Sequence, residues 1–173
     1  MATKDQERPT ANAKLVQYLT EAYGKEKELE TSLAAHIQIA QRPAYEKRLK
    51  QHLKETKQHA KLVERRLKKL GGGGLTEKAT GLASRAVATA KGPLHAVRGT
   101  GEAEKQLKNA KTEFSEEHEE IATYLAIETL AEAVGDVETA KLARQIRREE
   151  ERMASFLEKQ IPLLTKEVAK EEV

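Results

Sequence analysis

Apolar residues recur at alternating intervals of three and four residues in four long stretches of this sequence. In the first stretch, Leu15, Leu19 and Ala22 are followed by Leu29 and Leu33. This spacing places apolar side chains on one face of an α-helix and does not fit the period of two typical of a half-buried β-strand. Charged residues make up 34% of the chain and aromatic residues 3%, a composition that favours long helices. The sequence therefore predicts an all-α protein.

Proline and glycine residues mark where the predicted helices end. Four helices are predicted, over about residues 13–40, 44–70, 102–134 and 137–160. The breaks fall at Pro43, at the four glycines of residues 71–74, at Gly135 and at Pro162. Proline removes a backbone donor, and glycine readily adopts the left-handed conformation that ends helices. Asp136 is placed to cap the fourth helix.

The long connection between helices two and three decides the predicted topology. Residues 71–101 are rich in small residues, with a short helix predicted over 79–90. Two short turns and one long middle connection are typical of a ferritin-like antiparallel four-helix bundle. We expect the connection to let helix three begin at the same end as helix one. The bundle would span 13–164, between a disordered tail of residues 1–12 and a charged tail of residues 165–173.

Nothing in the sequence indicates secretion, a membrane span or a disulfide. The chain has no cysteine, and it contains no apolar run of about 18 residues. Its first residues lack the apolar stretch of a signal peptide. We therefore expect a cytoplasmic protein that does not contact membranes. The net charge of +3 gives a small bias towards anionic partners.

Acidic residues and histidines interrupt the apolar face of every predicted helix. The interrupting residues are Glu26 in helix one, His52, Glu55 and His59 in helix two, Glu117 and Glu120 in helix three, and Glu149 and Glu150 in helix four. In an antiparallel hairpin, residues equally far from the turn lie at the same height along the two helices. Glu26 lies 17 residues before Pro43 and His59 lies 16 residues after it, so the two are predicted to lie at the same height. Glu26 and Glu55 are 29 residues apart, as are Glu120 and Glu149, a spacing that indicates an internal repeat.

These interrupting residues have the chemistry of a metal site. Buried carboxylates at one level repel each other unless cations neutralise them, and carboxylate with imidazole suits iron or manganese. We predict two ions per chain with the ligands Glu26, Glu55, His59, Glu117, Glu120 and Glu149. One ion is assigned to Glu26, Glu55 and His59 and the other to Glu120 and Glu149, with Glu117 or Glu150 bridging or shielding.

Two features of this prediction leave alternatives open. His52 lies two turns from His59, about 10 Å along the axis, which is too far to share an ion, so we interpret it as a supporting residue. Lysines and arginines such as Lys25 or Arg147 could instead pair with the acids, which would make the cluster a purely structural network.

Three strings of sequence resemble a known family. They are YGKEKEL at residues 23–29, HLKET at 52–56 and EHEEIATY at 117–124. With the pair Glu149 and Glu150, they resemble the ferritin-like family catalogued as domain of unknown function 892, the YciF-type stress proteins. The resemblance covers about residues 13–160 and implies a bundle, often dimeric, with a dinuclear metal site among its inward acids. Helix four departs from the wider di-iron pattern, because Arg152 stands where a histidine is expected after Glu149.

Two functions from different classes follow. The first is a metal-binding homodimer of the stress response that oxidises Fe(II) or disposes of peroxide, with Tyr23 and Tyr124 near the predicted ligands. The second is a non-catalytic protein that binds nucleic acid or another anionic partner through the basic connection. The basic residues concerned are Lys78, Arg85, Lys91, Arg98, Lys105, Lys108 and Lys111. An iron-storing cage is disfavoured, because no further helix for closing a shell is recognisable.

Overall fold

The computed structural model describes residues 4–76 and 101–171, with side chains from residue 12 onward. These residues form four long helices: α1 (Lys4–Ile39), α2 (Pro43–Lys69), α3 (Glu102–Val134) and α4 (Val137–Glu171). One turn of 3-10 helix, Gly73–Leu75, follows α2. The prediction of an all-α bundle is confirmed, whereas the short helix predicted over 79–90 lies outside the described residues. None of the described helices has both the length and the apolar character needed to cross a membrane.

The helices pack as two hairpins whose partners also contact each other. α1 pairs with α2 and α3 with α4, while α1 packs on α3 and α2 on α4. Gln106 near the start of α3 donates to the backbone carbonyl of Ile39 at the end of α1. Helix α3 therefore begins beside the end of α1, and our expectation that it begins at the same end as helix one was wrong. The connection is long enough to return along the roughly 40 Å of α2, so it joins opposite ends of the bundle.

The turn between α3 and α4 also fastens the two hairpins together. Gly135 has φ of +77°, the left-handed conformation that glycine adopts without strain. Asp136 accepts a hydrogen bond from the backbone N–H of Thr139 at 3.0 Å, which confirms the predicted cap. Both oxygens of Asp136 are also bound by Arg66 of α2, at 2.6 and 2.7 Å. The ion pair between Arg66 and Asp136 thus joins the end of the first hairpin to the turn of the second.

The outer helices are longer than their apolar patterns predicted. Residues 4–12 and 165–171, which we predicted to be tails, are helical. The string KDQER that opens α1 consists largely of good helix formers, so the absence of apolar residues did not end the helix there. Helix α4 continues through Pro162 because Leu164, beyond the proline, is fully buried in the core. Burial of a leucine offsets much of the cost of the backbone hydrogen bond that proline removes.

Most buried positions in the helices follow an alternation of three and four. In α3 this series is residues 103, 106, 110, 113, 117, 120, 124, 127 and 131, and Asn109 and Glu128 are buried beside it. Such a pattern keeps one narrow face towards the bundle axis. The apolar residues on these faces form two separate clusters. One lies towards the Gly135 turn and includes Leu15, Leu67, Ile127 and Ile146; the other lies towards Pro43 and includes Leu33, Leu49, Met153 and Leu157.

Candidate metal centre

A buried polar layer separates the two apolar clusters, and all four helices contribute to it. We define the polar layer by six residues, which are Glu26 of α1, His52 and His59 of α2, Glu117 and Glu120 of α3, and Glu150 of α4. Each of the six is at most 2% exposed. They are buried because they stand at inward positions of the same repeat that buries the leucines; Glu26, for example, lies between buried Ala22 and Leu29.

The first group of potential ligands joins α1, α2 and α4. Glu26, His59 and Glu150 each offer one atom within 4.8 Å of the other two. Nδ1 of His59 lies 2.8 Å from Oε1 of Glu150 and 3.6 Å from Oε1 of Glu26. The Tyr124 hydroxyl donates a hydrogen bond of 2.5 Å to that oxygen of Glu26. Tyr124 therefore fixes the Glu26 carboxylate while leaving its second oxygen free for a ligand.

The second group joins α2, α3 and α4. His52, Glu117 and Glu150 also offer atoms within 4.8 Å of one another. Nε2 of His52 lies 2.9 Å from Oε1 of Glu117 and 3.6 Å from Oε2 of Glu150. Glu150 thus belongs to both groups, and it turns a different oxygen towards each histidine. This is the arrangement that a carboxylate bridging two ions requires.

The outer ring nitrogen of each histidine contacts a carboxylate that lies nearer the surface. Nε2 of His59 lies 2.8 Å from Oε2 of Glu149, and Nδ1 of His52 lies 3.3 Å from Oε2 of Glu55. The outer carboxyl side chains are partly exposed, 21% for Glu149 and 19% for Glu55. A carboxylate that accepts a hydrogen bond from the outer ring nitrogen fixes the ring and its tautomer, as is usual around metal-bound histidines.

Several oxygens of the polar layer are buried without a hydrogen-bond partner. Among the described residues these include Oε2 of Glu26, Glu117 and Glu120 and both oxygens of Glu150. Nδ1 of His59, which points inward, also has no hydrogen bond of good geometry. Buried polar atoms are nearly always satisfied in folded proteins, so a concentration of unsatisfied ones in a single layer needs a cause. A bound cation would satisfy them.

Lysines and arginines near the layer bind other partners. Lys25 forms an ion pair with Glu119 at 2.9 Å, on the outside of α3. Arg147 binds Glu128 at 3.1 Å and also Glu151. In residues 4–76 and 101–171, no ion pair joins a lysine or arginine to Glu26, Glu117, Glu120 or Glu150. The alternative of a structural network neutralised by lysines and arginines therefore lacks the ion pairs that it requires.

The pKa values of the layer are shifted because its acids are buried close together. Burial raises the pKa of Glu120 well above its ordinary value, and the nearby carboxylates of Glu26 and Glu150 raise it further. Burial also raises the pKa of Glu117 to about 8, against the opposing effect of His52. Burial disfavours charge on His52, but the Glu117 carboxylate outweighs it and raises the pKa of His52 to about 10. Protons therefore moderate the repulsion in the metal-free layer.

The structure places four of the six predicted ligands in the polar layer and two at its rim. Glu26, His59, Glu117 and Glu120 are in the layer, although Glu120 belongs to neither three-residue group. Glu55 and Glu149 are not among the inward groups; each contacts the outer nitrogen of a histidine instead. The position of Glu149 follows from the phase of the helix, since Glu150 rather than Glu149 continues the buried series of α4.

His52 and Glu150 are the two members of these groups that the predicted ligand set omitted. His52 does lie too far from His59 to share its ion, but it faces a second group rather than a supporting position. A signal for both residues was present. His52 and His59 occupy equivalent inward positions seven residues apart, and Glu150 lies seven residues before the buried Leu157.

Comparisons with known proteins agree with the fold. A family model described as "Domain of unknown function (DUF892)" matches residues 10–170. Protein XCC3681 from Xanthomonas campestris pv. campestris is 28% identical, with a TM-score of 0.73 over 94% of this chain and 99% of that one. The Escherichia coli stress protein YciF is 20% identical, with a TM-score of 0.67 over 96% and 99% of the respective chains. The search of curated proteins gives no significant match.

A third solved structure is similar over much of its length. YcfI from Rhodopseudomonas palustris, described as a putative structural protein, is 23% identical, with a TM-score of 0.67 over 83% of this chain and 90% of that one. At this identity the likeness to YcfI and YciF shows a shared fold only. The family match covers most of the chain, including every residue of the polar layer.

Proposed function

The chain belongs to the DUF892 family, and we propose that it is a ferritin-like metal protein that holds two ions of iron or manganese between its four helices. The observation that carries this proposal is the set of unsatisfied buried oxygens around Glu150, flanked by two inward imidazoles. The four carboxylates of the layer carry four negative charges when ionised, which two divalent cations would balance. The donor set of carboxylate and imidazole suits both metals.

The residues assigned to each ion differ from those predicted from the sequence. We assign Glu26 and His59 to one ion and His52 and Glu117 to the other, with Glu150 shared. Glu120 lies beside these carboxylates and is available to complete either set. Glu55 and Glu149 become the outer partners that orient the two histidines. This assignment gives each ion one histidine, so helix four needs none.

The proposed activity is Fe(II) oxidation or peroxide disposal, and the chain's own residues prepare the site for it. Redox-active ions bound here supply electrons for the reduction of oxygen or peroxide. The apolar clusters above and below the polar layer limit access of water. Burial raises the pKa of Tyr124, which therefore keeps its proton and its hydrogen bond to Glu26. A role in stress is supported by the description of the similar YciF as a stress protein; the homodimer and the cytoplasmic location stay predictions.

The first test is metal binding by protein freed of metal with a chelator. We expect anaerobic titration with Fe(II), and separately with Mn(II), to give about two ions per chain by equilibrium dialysis and metal analysis. Oxygen added to the iron-loaded protein should produce a ferric absorption band. Glu150→Gln should remove binding of both ions, because it withdraws the only carboxylate common to the two groups.

Glu151→Gln is the matched control, since it makes the same chemical change at the next residue of α4. Glu151 is exposed and pairs with Arg147, outside the polar layer. The control should bind two ions as the unaltered protein does. Failure of the unaltered protein to bind either metal, or equal binding by Glu150→Gln, would refute the metal site. Tight binding without any oxidation would leave the ions in a structural role and refute the redox activity.

A further inference from the structure

The outer face of α2 carries a straight row of basic residues. Helix α2 contains ten lysines and arginines against three glutamates, a net charge of +7, which exceeds the +3 of the whole chain. We call the following exposed residues the basic row: Lys47, Lys50, Lys54, Lys57, Lys61, Arg65 and Lys68. At about 100° per residue, their positions fall within an arc of roughly 80°. No other residue between 47 and 68 falls in that arc.

Five of the seven residues of the basic row have no acidic partner among the described residues. Lys50 and Lys68 pair with Glu46 and Glu64 along the same helix, at 2.5 and 2.7 Å. The other five members form no ion pair with any residue in the described part of the chain. Seven positive charges on one helix edge repel each other, and the chain gains no folding stability from that repulsion. Their alignment therefore fits the binding of an external anion better than the support of the fold.

Two of the basic residues that the sequence predicted to bind an anion are already paired with acids. Lys105 and Lys108 at the start of α3 already pair with Glu102 and Glu104, at 2.5 and 3.4 Å. The four basic residues predicted to contribute from within 78–98 lie outside the described residues. Within the described residues, the second helix thus carries an aligned row of mostly unpaired positive charges.

The length and composition of the basic row indicate which class of polyanion it can bind. From Lys47 to Lys68 the row extends about 31 Å along a rigid helix, which suits a stiff linear polyanion. A nucleic-acid duplex presents one negative charge per roughly 1.7 Å of its axis. No aromatic residue interrupts the row, so it offers no surface for stacking unpaired bases. It also lacks the apolar residues with which an amphipathic helix enters a lipid surface.

We propose that the basic row binds the phosphate backbone of double-stranded nucleic acid, without reading its sequence. The only neutral polar residues bordering the exposed row within α2 are Gln51 and Gln58, too few to read bases along a row of this length. This inference is independent of the metal site, because none of the row's residues belongs to the polar layer. The protein would then hold its buried centre close to nucleic acid.

The test is binding of the full chain to a labelled 30-base-pair DNA duplex, followed by fluorescence anisotropy in the presence of EDTA. We expect binding that weakens steeply with salt and does not depend on base sequence. Binding of most DNA-binding proteins weakens with salt with a slope of about 0.9 per phosphate contact in a plot of log affinity against log salt. The triple variant Lys54→Gln, Lys57→Gln, Lys61→Gln removes three such contacts, so the magnitude of its slope should be smaller by about 2.7. At 0.1 M salt, one decade below 1 M, its binding should be weaker by about 500-fold.

The control variant removes the same charge elsewhere. Lys159→Gln, Lys166→Gln, Lys170→Gln neutralises three exposed lysines of α4 and should bind almost as the unaltered chain does. Circular dichroism and thermal unfolding establish that both triple variants are folded. The proposal fails if the chain does not bind the duplex, if both variants lose affinity equally, or if single strands or anionic vesicles bind more tightly than the duplex.

Discussion

Single residues of the polar layer show how the metal-free protein tolerates so many buried acids. Burial disfavours charge on His59, but the close carboxylates of Glu150 and Glu26 outweigh burial and raise the pKa of His59 to about 11. Burial also opposes ionisation of Glu150, yet the two flanking histidines outweigh it and lower the pKa of that carboxyl. The layer is thus stabilised by charged histidines around Glu150 and by protons retained on neighbouring acids. Bound cations must displace these protons.

This balance predicts that metal-free protein loses stability as pH rises from 5.5 to 9. Charged His52, with a pKa of about 10, contributes stability that is complete below the unfolded value of about 6.5 and is lost towards pH 10. Glu117, raised to about 8, favours its protonated form, so it also costs stability as pH rises above the unfolded value of about 4.5. Both terms have the same sign. Urea unfolding with EDTA should show a loss of more than about 1 kcal/mol across this range.

Glu120→Gln tests the origin of that pH dependence. It removes a buried carboxyl whose pKa is raised by burial, and glutamine needs no proton to stay neutral. We expect the variant to be more stable than the unaltered protein at pH 9 and nearly equal to it at pH 5.5. A stability that rises with pH in the metal-free protein, or a variant with unchanged pH dependence, would contradict this account.

Which acids face inward could be predicted only in part, because a phase error of one residue turns a side chain by about 100°. Three consecutive glutamates at 149–151 give no local sign of which one is buried. Our predicted series started from Leu142, which is only half-buried, and therefore placed Glu149 inward. The observed buried series runs through Ala143 and Ile146 to Glu150. The same error on α3 concealed Glu113, which is fully buried and accepts a hydrogen bond from Tyr45 at 2.5 Å.

At the scale of elements, the last turns of α4 close one end of the bundle. Beyond Pro162, Leu164 packs in the cluster that contains Leu157, and Oε1 of Glu171 accepts a hydrogen bond from the backbone N–H of Ala103 at 3.3 Å. That N–H belongs to the first turn of α3, whose amides have no partner within their own helix. The negative charge of Glu171 also suits the positive end of the helix dipole. Contacts between elements, which local sequence does not reveal, therefore extend α4 past its proline.

The two leucines after Pro162 provide a matched test of this extension. Leu164→Ala should destabilise the protein by about 2–5 kcal/mol, because Leu164 is fully buried and its loss leaves a cavity. Leu163→Ala should change stability by less than about 0.5 kcal/mol, since Leu163 is 43% exposed. Urea unfolding of both variants measures the difference. Equal effects would mean that the helix beyond Pro162 does not pack on the bundle in solution.

At the scale of the whole molecule, the polar layer is the level at which all four helices meet. The fold and the existence of this layer could be predicted, because turn residues fix the hairpins and equal distances from a turn fix a common level. The direction of α3 could not be predicted in the same way. It depends on which end of the bundle the connection reaches, and a connection of this length is long enough to reach either end.

Each proposed ion contacts both hairpins, so metal binding should stabilise the entire bundle rather than one helix pair. Glu26 and His59 come from the first hairpin and Glu150 from the second, while His52 is joined to Glu117 across the same boundary. At a free metal concentration 100 times the dissociation constant, each ion stabilises the protein by about 2.7 kcal/mol, and each therefore raises Tm by roughly 5–10 °C for a chain of this size.

Thermal unfolding with Mn(II) and with EDTA measures that rise, and amide hydrogen exchange locates it. Slower exchange should extend through α1, α2, α3 and α4 together, because opening either hairpin alone would release the ions. Glu150→Gln should show neither effect, whereas Glu151→Gln should show both. Protection limited to one hairpin would place the metal outside the shared layer and would reject Glu150 as the bridge, even if two ions were bound.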